Sequence, residues 1–146
     1  MANIQKKYVG ILGGSFDPAH KGHLGISKIA IKKLKLKKIY WVITKKNPFK
    51  NKTFYSLNER VKLAKQISRT QRKIQTMHIE NIVKSPRTID MINYFLRNKN
   101  IKNIYFIIGS DNLIKFHKWK SWKKIIKLVK LIVFSRRGYD RKGMKS

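Results

Sequence analysis

Two histidines, His20 and His23, stand three residues apart at the end of a run rich in glycine. Residues 13–23 read Gly-Gly-Ser-Phe-Asp-Pro-Ala-His-Lys-Gly-His. An apolar run at 8–12 precedes this segment and an amphipathic stretch at 24–34 follows it, so the order is strand, glycine turn, helix. Such a turn offers backbone N–H groups and a helix amino terminus to an anion. The pattern predicts a phosphate site, with both imidazoles on one face of the first helical turn.

The residue types of this loop suit chemistry on phosphates. Imidazole donates hydrogen bonds to phosphate and can carry positive charge near neutral pH, so His20 and His23 are the candidate catalytic residues. Asp17 is expected to hold the turn rather than a metal ion. The sequence contains neither of the two common glycine-rich phosphate patterns. Five further residues of the loop are predicted to bind phosphate, namely Gly13, Gly14, Ser15, Phe16 and Gly22.

Strand and helix patterns alternate along the rest of the chain. Apolar runs predict strands at 8–12, 38–43, 73–78, 104–108 and 130–134. Helical spacing and a Ser-x-x-Glu start predict helices at 20–34, from Ser56, at 88–97 and at 118–128. This alternation predicts the α/β class, with a Rossmann-like, doubly wound and mostly parallel sheet in a single domain.

The loops that follow the predicted strands carry the polar residues. In open sheets of this class, ligands bind beyond the carboxyl ends of the strands. The loops at 13–19, 47–50, 109–111 and 135–138 all follow strands. Between them they contain glycines, cations and the carboxylates of Asp17 and Asp111. The topology therefore predicts one binding edge that these loops share.

Composition limits the classes of function. The 146 residues include no cysteine, which excludes disulfides, cysteine-ligated zinc and a cysteine nucleophile. The net charge is +30, from 36 basic and 6 acidic residues. The basic residues are spread along the chain, which favours a solvated basic surface that meets nucleic acid only non-specifically and attracts ATP. No apolar run reaches membrane-span length, and residues 1–8 carry no apolar signal segment, so a cytoplasmic protein is expected.

The loop at 13–23 resembles the signature of the HxGH nucleotidylyltransferases, which transfer a nucleotidyl group from ATP or CTP to a phosphate or related acceptor. A second stretch, 109–122, is similar to the Gly-x-Asp-x-Leu-x-x-Phe-x-x-Trp-x-x-Trp pattern of bacterial nicotinate-nucleotide adenylyltransferases. The resemblance implies an enzyme that makes deamido-NAD and pyrophosphate from ATP and nicotinate mononucleotide. It also implies Mg²⁺, bound mainly through the phosphates of ATP.

The second stretch assigns further roles by resemblance. Gly109 and Asp111 are expected to approach a nucleotide ribose, and Trp119 is expected to stack on the pyridine ring. The alternative is a core stripe of Phe116, Trp119 and Trp122 at helical spacing. The core role is favoured for Phe116 and Trp122, and the stacking role for Trp119.

Three other positions match the family more weakly. The segment 47–50 resembles a Pro-x-x-x-Pro-His-Lys loop, which makes Lys50 either a phosphate ligand or one more solvated charge. Thr88 resembles a threonine that contacts the nicotinate carboxylate, and it also fits a helix N-cap. Arg136 follows the last strand, where the family places a functional arginine.

One part of the family pattern has no match. Family members continue into an Ile-Ser-Ser-Thr-x-x-Arg segment that binds ATP phosphates, so we expect one nucleotidylyltransferase domain over residues 1–146 without it. Two alternatives stay open. One is another HxGH adenylyltransferase, acting on nicotinamide nucleotide or phosphopantetheine, against which the stretch 109–122 argues. The other is a basic nucleic-acid-binding module with a relic nucleotide site.

Overall fold

Strands and helices alternate in the computed structural model, which describes residues 8–45, 53–78, 83, 85, 87–98 and 101–135, without the side chains of Asn98 and Asp111. The described strands are β1 (Val9–Gly14), β2 (Lys38–Ile43), β3 (Ile74–His78), β4 (Ile104–Gly109) and β5 (Lys130–Phe134). The described helices are α1 (Lys21–Leu34), α2 (Leu57–Ser68), α3 (Thr88–Asn98), α4 (Ser110–Lys115), a 3₁₀ turn (Phe116–Lys118) and α5 (Trp122–Leu128).

The five strands form one parallel sheet in the order β3-β2-β1-β4-β5. The chain builds the sheet outward from β1 to β3 and then crosses back to place β4 on the other side of β1. The carboxyl ends of β1 and β4 therefore flank the point at which strand order reverses, where open α/β sheets bind ligands. The prediction of a Rossmann-like α/β fold is confirmed.

Helices cover both faces of the sheet, because successive side chains of a strand point to opposite faces. On one face, α1 and α2 contribute Ala30 and Ala64 to a buried core. The sheet contributes Leu12, Ile39, Trp41, Ile43 and Ile74. On the other face, α3 and α5 contribute Ile92, Phe95 and Ile125 to a second buried core. The sheet contributes Ile11, Val42 and Phe106. The sheet is thus doubly wound, as predicted. None of the helices in the described ranges has the length and apolarity that a membrane crossing requires.

The predicted helix at 118–128 is wrong in its first part. Helix α4 starts directly after β4, and α5 begins only at Trp122. Between them, Trp119 is extended (φ −75°, ψ 143°) and Ser121 is left-handed (φ 58°, ψ 34°). The three aromatic rings whose spacing suggested a helix still cluster without one. The ring centroid of Phe116 lies 5.1 Å from that of Trp119 and 6.2 Å from that of Trp122. Tertiary packing of the rings therefore overrides the helical period.

Gly10 lies in β1 where the core leaves no room for a side chain. A Cβ atom there would lie 2.9 Å from Leu36 Cδ1, 3.2 Å from Ile39 Cγ1 and 3.3 Å from Ile107 Cδ1. We expect Gly10→Ala to lower the free energy of unfolding by about 1–3 kcal/mol through overpacking. Urea denaturation measures this change.

Gly13 supplies the matched control in the same strand. Its added Cβ would meet Phe106 Cε1 at 3.8 Å, which is ordinary contact. Because alanine restricts the unfolded chain, we expect Gly13→Ala to be neutral or to stabilise by up to ~1 kcal/mol. Equal destabilisation by the two substitutions would contradict this account of Gly10.

Candidate active site

The turn between β1 and α1 contains a buried aromatic residue, Phe16, with a positive φ. Phe16 has a left-handed backbone (φ 48°), the Asp17–Pro18 peptide is cis, and none of the described glycines has a positive φ. Phe16 is 2% exposed, so packing holds it in a conformation that a large side chain rarely adopts. The backbone of the glycine-rich loop is therefore held in one conformation at Phe16 by packing.

The two histidines cap helix α1 together. His20 is the N-cap, one position before the helix, and its Nδ1 accepts from Gly22 N–H at 2.9 Å. The Nδ1 atom of His23 accepts from His20 N–H at 3.1 Å, and the two ring centroids lie 4.1 Å apart. A ring nitrogen that accepts a hydrogen bond carries no proton, so Nε2 is the protonated nitrogen in both neutral rings. The backbone thereby fixes two N–H donors side by side.

The ring of His23 belongs to an aromatic stack. Phe16 stacks on His23 and on Trp41, with centroid distances of 4.5 Å and 5.3 Å and interplanar angles of 30° and 29°. The rings of His23 and Trp41 also meet directly, with centroids 6.0 Å apart. Ser27 Oγ donates to the His23 carbonyl at 2.8 Å and accepts from Trp41 Nε1 at 2.8 Å. Ser27 and Trp41 are fully buried. Both the ring and the backbone of His23 are therefore held in place from the core.

Ser27 and Trp41 were missed by the sequence analysis. The available signal for Ser27 is its position four residues after His23, which places a small polar residue on the buried face of α1. Nothing in the sequence marks Trp41 as part of the site, because it looks like one more apolar residue of a buried strand.

Asp17 ties the loop after β1 to the start of α2. Its two carboxylate oxygens accept from the backbone N–H groups of Phe54 and Tyr55, the latter at 2.8 Å. This confirms the prediction that Asp17 holds the loop. In the part of the chain that the structure describes, no three His, Asp or Glu side chains form a group that could hold a metal ion.

Arg60 also joins this region and was missed by the sequence analysis. It is 1% exposed and donates to the Ser15 carbonyl at 2.8 Å and the Thr44 carbonyl at 2.7 Å. Its position, three residues after Leu57 and four before Ala64, puts it on the apolar face of α2. A charged residue on that face was the available signal.

Two of the four loops that were predicted to share a binding edge follow the neighbouring strands β1 and β4. These strands are neighbours, with Leu12 opposite Ile107, so the loop at 13–19 and Gly109 extend from the same edge of the sheet. Gly109 is buried and is the N-cap of α4. Asp111 is the second residue of α4, and its side chain is outside the description.

Two predicted pyridine-nucleotide residues lie on the α3 and α5 side of the sheet. Trp119 is half-buried, with its ring 6.1 Å from Phe106 and 5.1 Å from Phe116. Thr88 is the first residue of α3 rather than its N-cap. The hydroxyl of Ser85 serves the start of this helix instead, since it accepts from Arg87 N–H and donates to Asp90.

Two predicted site residues cannot be placed. Lys50, with the rest of the segment 47–50, and Arg136 both lie outside the described residues. Their roles stay predictions from the sequence.

Residues 11–145 match the model of the cytidylyltransferase-like family. This match spans most of the chain and includes the glycine-rich loop, both histidines and the second motif. The chain therefore belongs to the cytidylyltransferase-like family, a class of nucleotidyltransferases.

Within the family, the chain is similar to proteins named "probable nicotinate-nucleotide adenylyltransferase". It is 54% identical to the one from Pelagibacter ubique (strain HTCC1062) over 144 residues, which is 99% of this chain and 79% of that relative. It is 36% identical to the one from Bradyrhizobium sp. (strain ORS 278) over 129 residues, or 88% of this chain and 67% of the relative.

A solved structure agrees on the fold. Plasmodium falciparum nicotinic acid mononucleotide adenylyltransferase, complexed with NaAD, superposes with a TM-score of 0.76 at 21% sequence identity. The superposition covers 89% of this chain and 65% of that one.

Proposed function

We propose that this nucleotidyltransferase moves AMP from ATP to nicotinate mononucleotide, which gives deamido-NAD, a precursor of NAD, and pyrophosphate. The observation that carries the proposal is the pair of imidazoles that cap α1 and hold their Nε2–H groups at the strand-order reversal between β1 and β4. The names of relatives at 54% and 36% identity support the choice of acceptor.

The reaction needs positioning and charge stabilisation. A phosphate oxygen of nicotinate mononucleotide attacks the α-phosphorus of ATP and forms a new P–O bond. The bond from the α-phosphorus to the bridging oxygen of the β-phosphate breaks, and pyrophosphate leaves with that electron pair. Both reactants are polyanions, so the protein must bring them together and stabilise the oxygens of the transition state.

The histidine loop supplies this stabilisation in our proposal. The Nε2–H groups of His20 and His23 donate to phosphate oxygens as charge builds on them. Backbone N–H groups of Gly14, Ser15 and Phe16 line the same loop, and Gly22 lets the substrate approach closely. In this proposal Mg²⁺ enters with ATP and is bound mainly through the phosphates of ATP.

The other predicted residues divide between the two substrates. In this proposal the ATP site is completed by Lys50, Gly109 and Asp111. The nicotinate-nucleotide site is formed by Thr88, Trp119 and Arg136.

Pyrophosphate release tests the function. The purified chain is incubated with ATP and Mg²⁺, and the acceptor is nicotinate mononucleotide, nicotinamide mononucleotide or phosphopantetheine. We expect turnover with the nicotinate form and little with the other two. Faster turnover with phosphopantetheine would assign a different adenylyltransferase, and no turnover with any acceptor would contradict the proposal.

Trp119→Ala tests the stacking role. Because stacking of an aromatic side chain on a base is worth about 1–3 kcal/mol, we expect the KM for nicotinate mononucleotide to rise about tenfold or more. The KM for ATP is expected to stay within about twofold, since the ring contacts only the pyridine nucleotide. Trp122→Ala is the matched control, because it removes a neighbouring ring from the same cluster. Equal changes in both KM values would contradict the stacking role.

A further inference from the structure

Arg60 is a buried cation whose hydrogen bonds all go to the main chain. Its side chain is 1% exposed. The guanidinium donates to four carbonyl oxygens, those of Tyr55 (3.1 Å), Ser15 (2.8 Å), Thr44 (2.7 Å) and Lys45 (2.6 Å). Carbonyl oxygens carry no formal charge, so these four bonds occupy N–H donors without neutralising the guanidinium.

The four carbonyls belong to three separate segments. Ser15 is in the loop after β1, Thr44 and Lys45 follow β2, and Tyr55 directly precedes α2. The same segments are joined by other bonds, since Thr44 N–H donates to the Gly14 carbonyl at 2.9 Å and Asp17 accepts from Tyr55 N–H. The planar guanidinium of Arg60, with its five N–H donors in a fixed fork, bonds all three segments at once.

The bond to Ser15 fixes the direction of a peptide group in the histidine loop. In a trans peptide the C=O and N–H bonds point in opposite directions. Because the Ser15 carbonyl points at Arg60 Nη1, the Phe16 N–H of the same peptide points away from Arg60. Phe16 N–H is one of the donors assigned above to phosphate.

We propose that Arg60 is a positioning residue for nucleotide binding, which holds the Ser15–Phe16 peptide so that Phe16 N–H is presented to a phosphate of ATP. This inference rests on the proposed function only in requiring that the loop binds a nucleotide phosphate. The buried positive charge beneath the loop acts in the same direction, because it raises the electrostatic potential that a phosphate meets.

The test compares two substitutions at Arg60. Lysine keeps the charge but presents a single ammonium that cannot span three segments, and Arg60→Gln removes the charge as well. We expect both to raise the Kd for MgATP about tenfold or more, measured calorimetrically without acceptor, because misplaced contacts lose affinity steeply. We also expect faster hydrogen–deuterium exchange of the amides in the loop at 14–17.

Two control variants on α2 separate positioning from stability. Arg69→Lys makes the same chemical change at the exposed C-cap of α2, and it is expected to leave the Kd unchanged. Ala64→Gly weakens the helix from a fully buried position one turn from Arg60. It is expected to lower the Tm without changing the Kd for MgATP or the exchange of the loop amides. If Arg60→Gln does not fold, Arg60→Lys decides the question.

The outcomes distinguish this inference from the proposed function. Wild-type affinity for MgATP in Arg60→Lys and Arg60→Gln would overturn the positioning role, even if the wild-type chain uses nicotinate mononucleotide. An equal loss of affinity in Ala64→Gly would also overturn it. Conversely, weaker MgATP binding in both Arg60 variants would support the positioning role, even if the wild-type chain rejects nicotinate mononucleotide as an acceptor.

Discussion

His23→Asn is expected to lower kcat by about 100-fold or more, because losing one preorganised donor to a transition-state oxygen costs roughly 10²–10³ in kcat. Asparagine is chosen because its side-chain oxygen can take the place of Nδ1 and accept from His20 N–H. That bond is 3.1 Å long in the native capping box. The substitution thus removes the Nε2–H donor and keeps the cap. Pyrophosphate release under saturating substrates measures the effect, and the Tm is expected to change little.

His117→Asn is the matched control for this prediction. His117 lies exposed in the 3₁₀ turn, so the same chemical change there is expected to leave kcat at the wild-type value. His23→Ala adds a second comparison, because it also removes the cap and is expected to cost a further 0.5–2 kcal/mol or so in stability. A kcat within about threefold of wild type in His23→Asn would remove the His23 donor from the mechanism.

The fold followed from patterns that are local in sequence. The apolar runs at 38–43 and 130–134 coincide with β2 and β5, and the other strands differ by one or two residues at their ends. Parallel pairing followed from the helical segments between strands, since only crossover connections can join parallel neighbours. The carboxyl edge that carries the candidate histidines followed too, because topology fixes that edge in such a sheet.

The support beneath the histidines could not be predicted in the same way. Trp41 meets Ser27 across a sequence separation of 14 residues, and Arg60 meets Ser15 across 45. No local period encodes such a contact. Trp41 alone looks like any apolar residue of a central strand, and the position of Arg60 on the apolar face of α2 does not reveal its partner. The break at Trp119 and Ser121 has the same origin, because ring packing decides the backbone there.

The second large effect is expected at Phe16, which links the core to the candidate catalytic histidines. Phe16→Ala removes a ring that is 2% exposed and stacks on both His23 and Trp41. Loss of a buried phenylalanine costs about 3–5 kcal/mol in the free energy of unfolding. The His23 ring also loses one of its ring contacts, so its donor is held less firmly in one orientation, although the bond from His20 N–H remains. We expect kcat to fall by roughly 10–100-fold for this reason, measured at a temperature where the variant is folded.

Phe95→Ala separates the two consequences. Phe95 is fully buried on the opposite face of the sheet, between Tyr40 and Tyr94, so its loss is expected to cost a similar 3–5 kcal/mol or so in stability. Its ring belongs to the other core, away from the histidine stack, and kcat is expected to stay at the wild-type value. If the two variants lose stability and kcat in parallel, the effect of Phe16 on turnover is a consequence of stability alone. If only Phe16→Ala lowers kcat, contact with the Phe16 ring orients His23. Two variants with equal losses of stability would then differ in turnover, which stability alone does not explain.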